Sequence, residues 1–154
     1  MRRTILVLAW ALASVVAGVV LWVPLGSIGH GLAGAGARAI VPISFLFLLY
    51  STPLGLRALV YGMPILTILF GLWAMLCKRR PAWDSPRPLM LFACLIALPG
   101  AFVISATCAQ SPDPFSFRAF AWLLPSYFLI LWGAITCPRW LVPSLATGVF
   151  NQQP

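Results

Sequence analysis

The chain has 154 residues, 62% of them hydrophobic and 8% charged, with ten Lys and Arg against two Asp and Glu. A soluble domain carries roughly a quarter charged residues, so this composition excludes a water-soluble globule and places the chain in lipid. The formal charge of +8 does not point to nucleic acid. The basic residues sit at the ends of apolar runs as headgroup anchors, not as one exposed stripe.

The predicted fold class is all-α: a polytopic membrane helical bundle forming a single integral-membrane domain over residues 1–154. It has four transmembrane helices and an extra short interfacial or re-entrant helix in the first outer loop. The first predicted span is Thr4–Val23. About twenty residues at 1.5 Å each cross the ~30 Å hydrocarbon core. Met1-Arg2-Arg3 before it looks like the start of a signal peptide. The apolar run exceeds the 7–15 residues of a signal core and ends without a small-residue cleavage signature, so it reads as an uncleaved span. Ala11, Ser14 and Gly18, with Ala17, fall on one face at spacings of three and four, a surface for close helix approach. The following loop carries His30, read as a solvated loop residue. Gly31, Gly34 and Gly36 read as a flexible stretch, since no strand or Lys-Ser/Thr pair makes them a phosphate loop.

Ala39–Tyr50 is apolar but only twelve residues long, about 18 Å as a helix and too short to cross. Ser51-Thr52-Pro53 and Gly55 are expected to break it. It reads as the short outer helix leading into the second span, Ala58–Cys77; the rival is a five-span chain turning near Pro53–Arg57. Next comes the loop with Lys78, Arg79, Arg80 and Arg87, together with Trp83 and Asp84. Its cations are expected to bind anionic headgroups, at ~1 kcal/mol each, or an acidic patch on a partner, with lipid anchoring the default.

The third span is Leu89–Thr107 and the fourth Ala119–Thr136, joined by a short outer loop containing Ser111 and Asp113. The last three spans each hold one proline, Pro64, Pro99 and Pro125, expected to kink them. Thr67, Ser105, Thr107, Ser126 and Tyr127 lie near these prolines. Facing one interior, they would line a weakly polar slot; bonding of the hydroxyls to carbonyls four residues back is the favoured alternative. Trp22 and Trp122 fall at outer span ends, and Trp140 just past the inner end of span four, as interfacial belts require. Trp10, Trp73 and Trp132 share a depth on three spans and are expected to form an inner belt facing lipid rather than a buried layer.

With the amino terminus inside, seven basic residues (Arg2, Arg3, Lys78, Arg79, Arg80, Arg87, Arg139) are cytoplasmic and three (Arg38, Arg57, Arg118) are outside. This satisfies the positive-inside rule and predicts both termini in the cytoplasm of a bacterial inner membrane. The two acidic residues are in loops, so the spans hold no carboxylate relay for proton-coupled transport. One His and four cysteines with no C-x-x-C spacing (Cys77, Cys94, Cys108, Cys137) give neither a metal-ligand spacing nor a redox pair. No cofactor, metal or catalytic residue is expected; His30, Asp113, Ser111 and Cys108 form no recognisable set.

The expected function is a non-catalytic subunit of a larger membrane complex, acting by lateral helix packing and lipid anchoring. Its partners are other integral membrane subunits and anionic lipids, with no nucleic acid. The alternatives are a small transporter or channel built on proline-kinked helices, and a membrane immunity or exclusion protein. An enzyme acting on lipids or quinones is the least favoured.

Overall fold

The computed structural model describes residues 2–34, 36–79, 86–110 and 116–141. Arg80, Trp83, Asp84, Ser111 and Asp113, to which expectations were attached, lie outside the described residues.

Among the described residues four helices are long and apolar enough to cross a membrane: Thr4–Ala33, Ala37–Arg79, Pro86–Ala109 and Phe117–Arg139. They fit a multi-pass membrane protein. The first contains α1 (Arg2–Leu21), a π-helical turn (Trp22–Gly26) and α2 (Ser27–Ala33). The sequence predicts an end at Val23, yet the helix runs ten residues further. Pro24 has no N–H for the carbonyl four residues back, and its ring crowds that carbonyl. The wider π turn accommodates both, as insertions of this kind do elsewhere. The Ser27 hydroxyl donates to the Val23 carbonyl, which also accepts from the Ser27 backbone N–H.

The expected flexible loop 31–38 is largely a tight corner. Gly31 is buried within α2, and the Gly36 amide donates to the Gly31 carbonyl at 2.7 Å. Gly36 has φ +84°, a left-handed conformation that glycine adopts without steric penalty. The chain then re-enters a helix at once, through a 3-10 turn (Ala37–Ala39) into α3 (Ile40–Arg57).

The break expected at Ser51–Gly55 is absent. The Ser51 hydroxyl donates to the Leu48 carbonyl at 2.6 Å instead of terminating the helix. α3 passes through Pro53 to Arg57 and continues by a second π turn (Ala58–Gly62) into α4 (Met63–Arg79). This turn precedes Pro64 as the first surrounds Pro24, so the same physical cause applies. The turn also changes the register between the first two helices. Val19 lies 3.8 Å from the Cβ position of Gly55, and Trp10 stacks edge-on against Phe70 at 5.6 Å. From one contact to the other the first helix advances nine residues and the second fifteen. The second helix therefore takes a longer path beside the first.

The chain then forms α5 (Pro86–Ala109) and α6 (Phe117–Leu141), which pack along one another. α6 also contacts α1, its π turn and α2, which makes it the central helix. α5 presents Leu89, Ala93, Ala97, Ala101, Ser105 and Ala109 as its buried residues. Their four-residue spacing puts them on one face, and small side chains there let two backbones approach closely. Such van der Waals contact holds helices together where lipid is as apolar as the side chains.

One core cluster joins Val7, Trp10 and Ala11 to Phe70, Trp73, Cys77, Leu89, Ala93 and Ile135. Trp10 and Trp73 are each 1% exposed, and Trp73 lies 4.6 Å from Phe92. The tryptophans therefore form a buried aromatic layer with Trp132 packed against it, not the lipid-facing belt expected.

Candidate functional site

A polar cluster lies at the other end of the bundle, where α2, α5 and α6 meet. α2 exists because the first helix continues beyond Pro24, and this extension brings His30 against α6. The His30 Nε2 and the Tyr127 hydroxyl are hydrogen-bonded at 2.9 Å. The phenol donates when Nε2 is unprotonated and accepts when Nε2 carries the proton. The Cys108 Sγ lies 4.0 Å from the same hydroxyl. Phe47 of α3 stacks on Trp22 at 4.3 Å and packs tilted against the His30 ring at 5.3 Å. Tyr127 is buried and His30 half-buried. His30 is thus a cross-helix partner, not the solvated loop residue expected from the sequence.

Close approach of α2 to α6 makes this contact possible. A Cβ on Gly29 would lie 2.5 Å from the Ser126 Oγ, so only glycine fits there without displacement. The Ser126 hydroxyl itself donates to the Trp122 carbonyl at 3.1 Å.

The five residues of the anticipated polar slot separate into distinct environments. Thr67 donates to the Met63 carbonyl at 2.8 Å, and Thr107 to the Ile104 carbonyl at 2.8 Å. Like Ser126, they satisfy their hydroxyls within their own helices. Tyr127 alone is tied to another helix. Ser105 is fully buried and its hydroxyl has no hydrogen-bond partner; Ser14 shares both properties. Of the anticipated packing face, Ala11 and Ser14 are completely buried, and a Cβ on Gly18 would lie 3.3 Å from that of Ala134. Lys78 and Arg79 at the end of α4 and Arg87 at the start of α5 are exposed.

The small-residue stripe of α5 was not singled out in the sequence, although Ala93, Ala97, Ala101, Ser105 and Ala109 display it at constant spacing. His30 was missed for a different reason. Its role depends on an extension past a proline, and on a partner 97 residues away.

Chemically, the cluster offers an imidazole, a phenol and a thiol, with no Asp or Glu among the described residues. Among the described residues no three His, Cys, Asp or Glu side chains are grouped to hold a metal ion. The arrangement ties three helices through a shared hydroxyl. Comparison with known proteins gives no matching family model, no matching curated protein and no matching solved structure.

Proposed function

We propose that this chain is a non-catalytic integral membrane subunit of a larger membrane complex. It acts by lateral helix packing, with its basic helix ends anchored in lipid. The supporting observation is the surface of α3. This eighteen-residue helix buries none of its residues against the rest of the chain. Phe45 is 66% exposed, Leu49 73% and Tyr50 63%. The other long helices each bury a face, whereas α3 rests on the bundle through half-buried residues such as Phe47 and leaves most of its apolar surface for neighbours outside the chain.

The helix Ala37–Arg79 has 43 residues, about 64 Å at 1.5 Å per residue and more than twice the ~30 Å core. Its outer part is accordingly assigned to the outer interface, where Ala39–Tyr50 serves as an interfacial element that partners reach. The positive-inside rule applied to Lys78, Arg79 and Arg87 supports a cytoplasmic opposite end, in a bacterial inner membrane with both termini inside. Integral membrane subunits and anionic lipids are the partners of this reading.

Photo-crosslinking from Phe45 and Leu49 in native membranes, followed by mild solubilisation, tests it. Discrete adducts with other membrane proteins are expected at both positions. Recovery of a lone, stable monomer with lipid adducts only would overturn the proposal.

A further inference from the structure

A groove of about 430 Å³ runs between α1 and α4. Its walls are Val7 on α1 and Gly71, Ala74 and Met75 on α4; Thr67 closes one end, and Thr4 and Lys78 flank the other. The volume falls in the ~300–1,000 Å³ range of small-ligand sites.

The sequence of α4 explains the groove. Thr67, Gly71, Ala74 and Lys78 recur at spacings of three and four and so share a face. Gly71 has no atom within 4 Å of where a Cβ would sit, which leaves the space open. Lys78 is the penultimate residue of α4, and Thr4 lies in the first turn of α1. The cationic mouth is therefore at the helix ends. From Lys78 to Thr67 is eleven residues, about 16 Å of helix, or half the ~30 Å hydrocarbon core. The groove thus reaches from the headgroup level to near the midplane and follows one leaflet. At its deep end the Thr67 hydroxyl already donates to the Met63 carbonyl, so no unsatisfied donor faces the groove there.

Lys78 and Arg79 are exposed side by side and put positive charge at the mouth. We propose that this groove binds an anionic phospholipid of the adjoining leaflet, with an acyl chain between α1 and α4 and the phosphate on the Lys78 ammonium. A transmembrane partner helix fits less well, because it would need contact through the full core. This inference rests on the reading of the chain as a bilayer-spanning, lipid-anchored protein and names the lipid site.

The test uses the full-length chain alone in nanodiscs of phosphatidylcholine with or without phosphatidylglycerol, with retained lipid counted by native mass spectrometry after release. Preferential retention of phosphatidylglycerol is expected. Lys78→Gln should weaken retention about fivefold, as loss of one basic contact near the surface implies. Gly71→Leu fills open space, so it should leave the melting temperature unchanged while abolishing the preference. Leu95→Ala, on the exposed face of α5 outside the groove, should change little. Equal retention of the two lipids, wild-type binding by Gly71→Leu, or equal losses from Lys78→Gln and Leu95→Ala would overturn the site. A protein adduct from a photo-crosslinker at position 71 in native membranes would likewise assign the groove to a partner helix. Because lipid retention is measured on the isolated chain, its outcome is independent of whether α3 binds other subunits.

Discussion

His30 and Tyr127 stand 97 residues apart in the chain and share a hydrogen bond of 2.9 Å. The bond crosses from α2 to α6 and fastens the extended end of the first helix to the central helix of the bundle. Both groups are polar and partly or fully withdrawn from solvent, and the bond satisfies both. Tyr127→Phe removes the hydroxyl and keeps the ring. A destabilisation of ~0.6–1.7 kcal/mol is expected, the range measured for interhelical hydrogen bonds in membranes. A double-mutant cycle with His30→Ala, followed by unfolding in mixed micelles, should return a coupling energy of that size. Additive effects of the two substitutions would show that the bond contributes nothing to stability.

Gly29 controls the approach on which that bond depends. Gly29→Ala places a methyl 2.5 Å from the Ser126 Oγ and 2.8 Å from its Cβ. The overlap forces the helices apart, and a loss of ~1–3 kcal/mol is expected. Ser126→Gly removes both opposing atoms and should restore most of it. Thermal melts of the two single variants and the pair measure the rescue; an unrescued loss would place the cause elsewhere.

Ser105 gives a prediction of opposite sign. Its hydroxyl is buried without a partner in a stripe otherwise made of alanine and leucine. Ser105→Ala removes an unsatisfied polar group with almost no change in volume, and a gain of ~1 kcal/mol is expected. A rise in melting temperature checks it. A fall would mean that the hydroxyl has a polar partner under native conditions.

The same stripe predicts sharp position dependence along α5. Ala97→Leu introduces three carbons at a site with no exposure and should lower stability by ~1–3 kcal/mol. Leu95, two positions away, is 75% exposed, and Leu95→Ala should stay within ~0.5 kcal/mol of the parent. Denaturation of both variants in one detergent decides this. Equal sensitivity would reject the helix rotation described above.

Sidedness is tested on the basic end. A single cysteine at position 87, in a chain with its four native cysteines replaced, should react with a membrane-impermeant maleimide only after the cells are opened. Labelling from the exterior of sealed cells would invert the topology inferred from the positive charges.

The sequence alone determined that this chain crosses membranes, about how often, and where its cations cluster, because hydropathy and charge are summed along the chain and need no partners. Its predicted interior boundaries, such as Leu89–Thr107 and Ala119–Thr136, lie within the α5 and α6 observed. Tertiary structure decided which faces meet. In lipid, the face that packs and the face that meets acyl chains are equally apolar, so Trp10 and Trp73 look the same in sequence whether they form a belt or a core. Only the packing of α1 with α4 and α6, with Leu89 and Ala93 of α5 closing the cluster, buried them. The extension through Pro24 and the continuation through Pro53 were likewise not local matters. Neighbouring helices and π turns absorb the backbone disruption that proline alone would be expected to cause, and these extensions brought His30 to Tyr127.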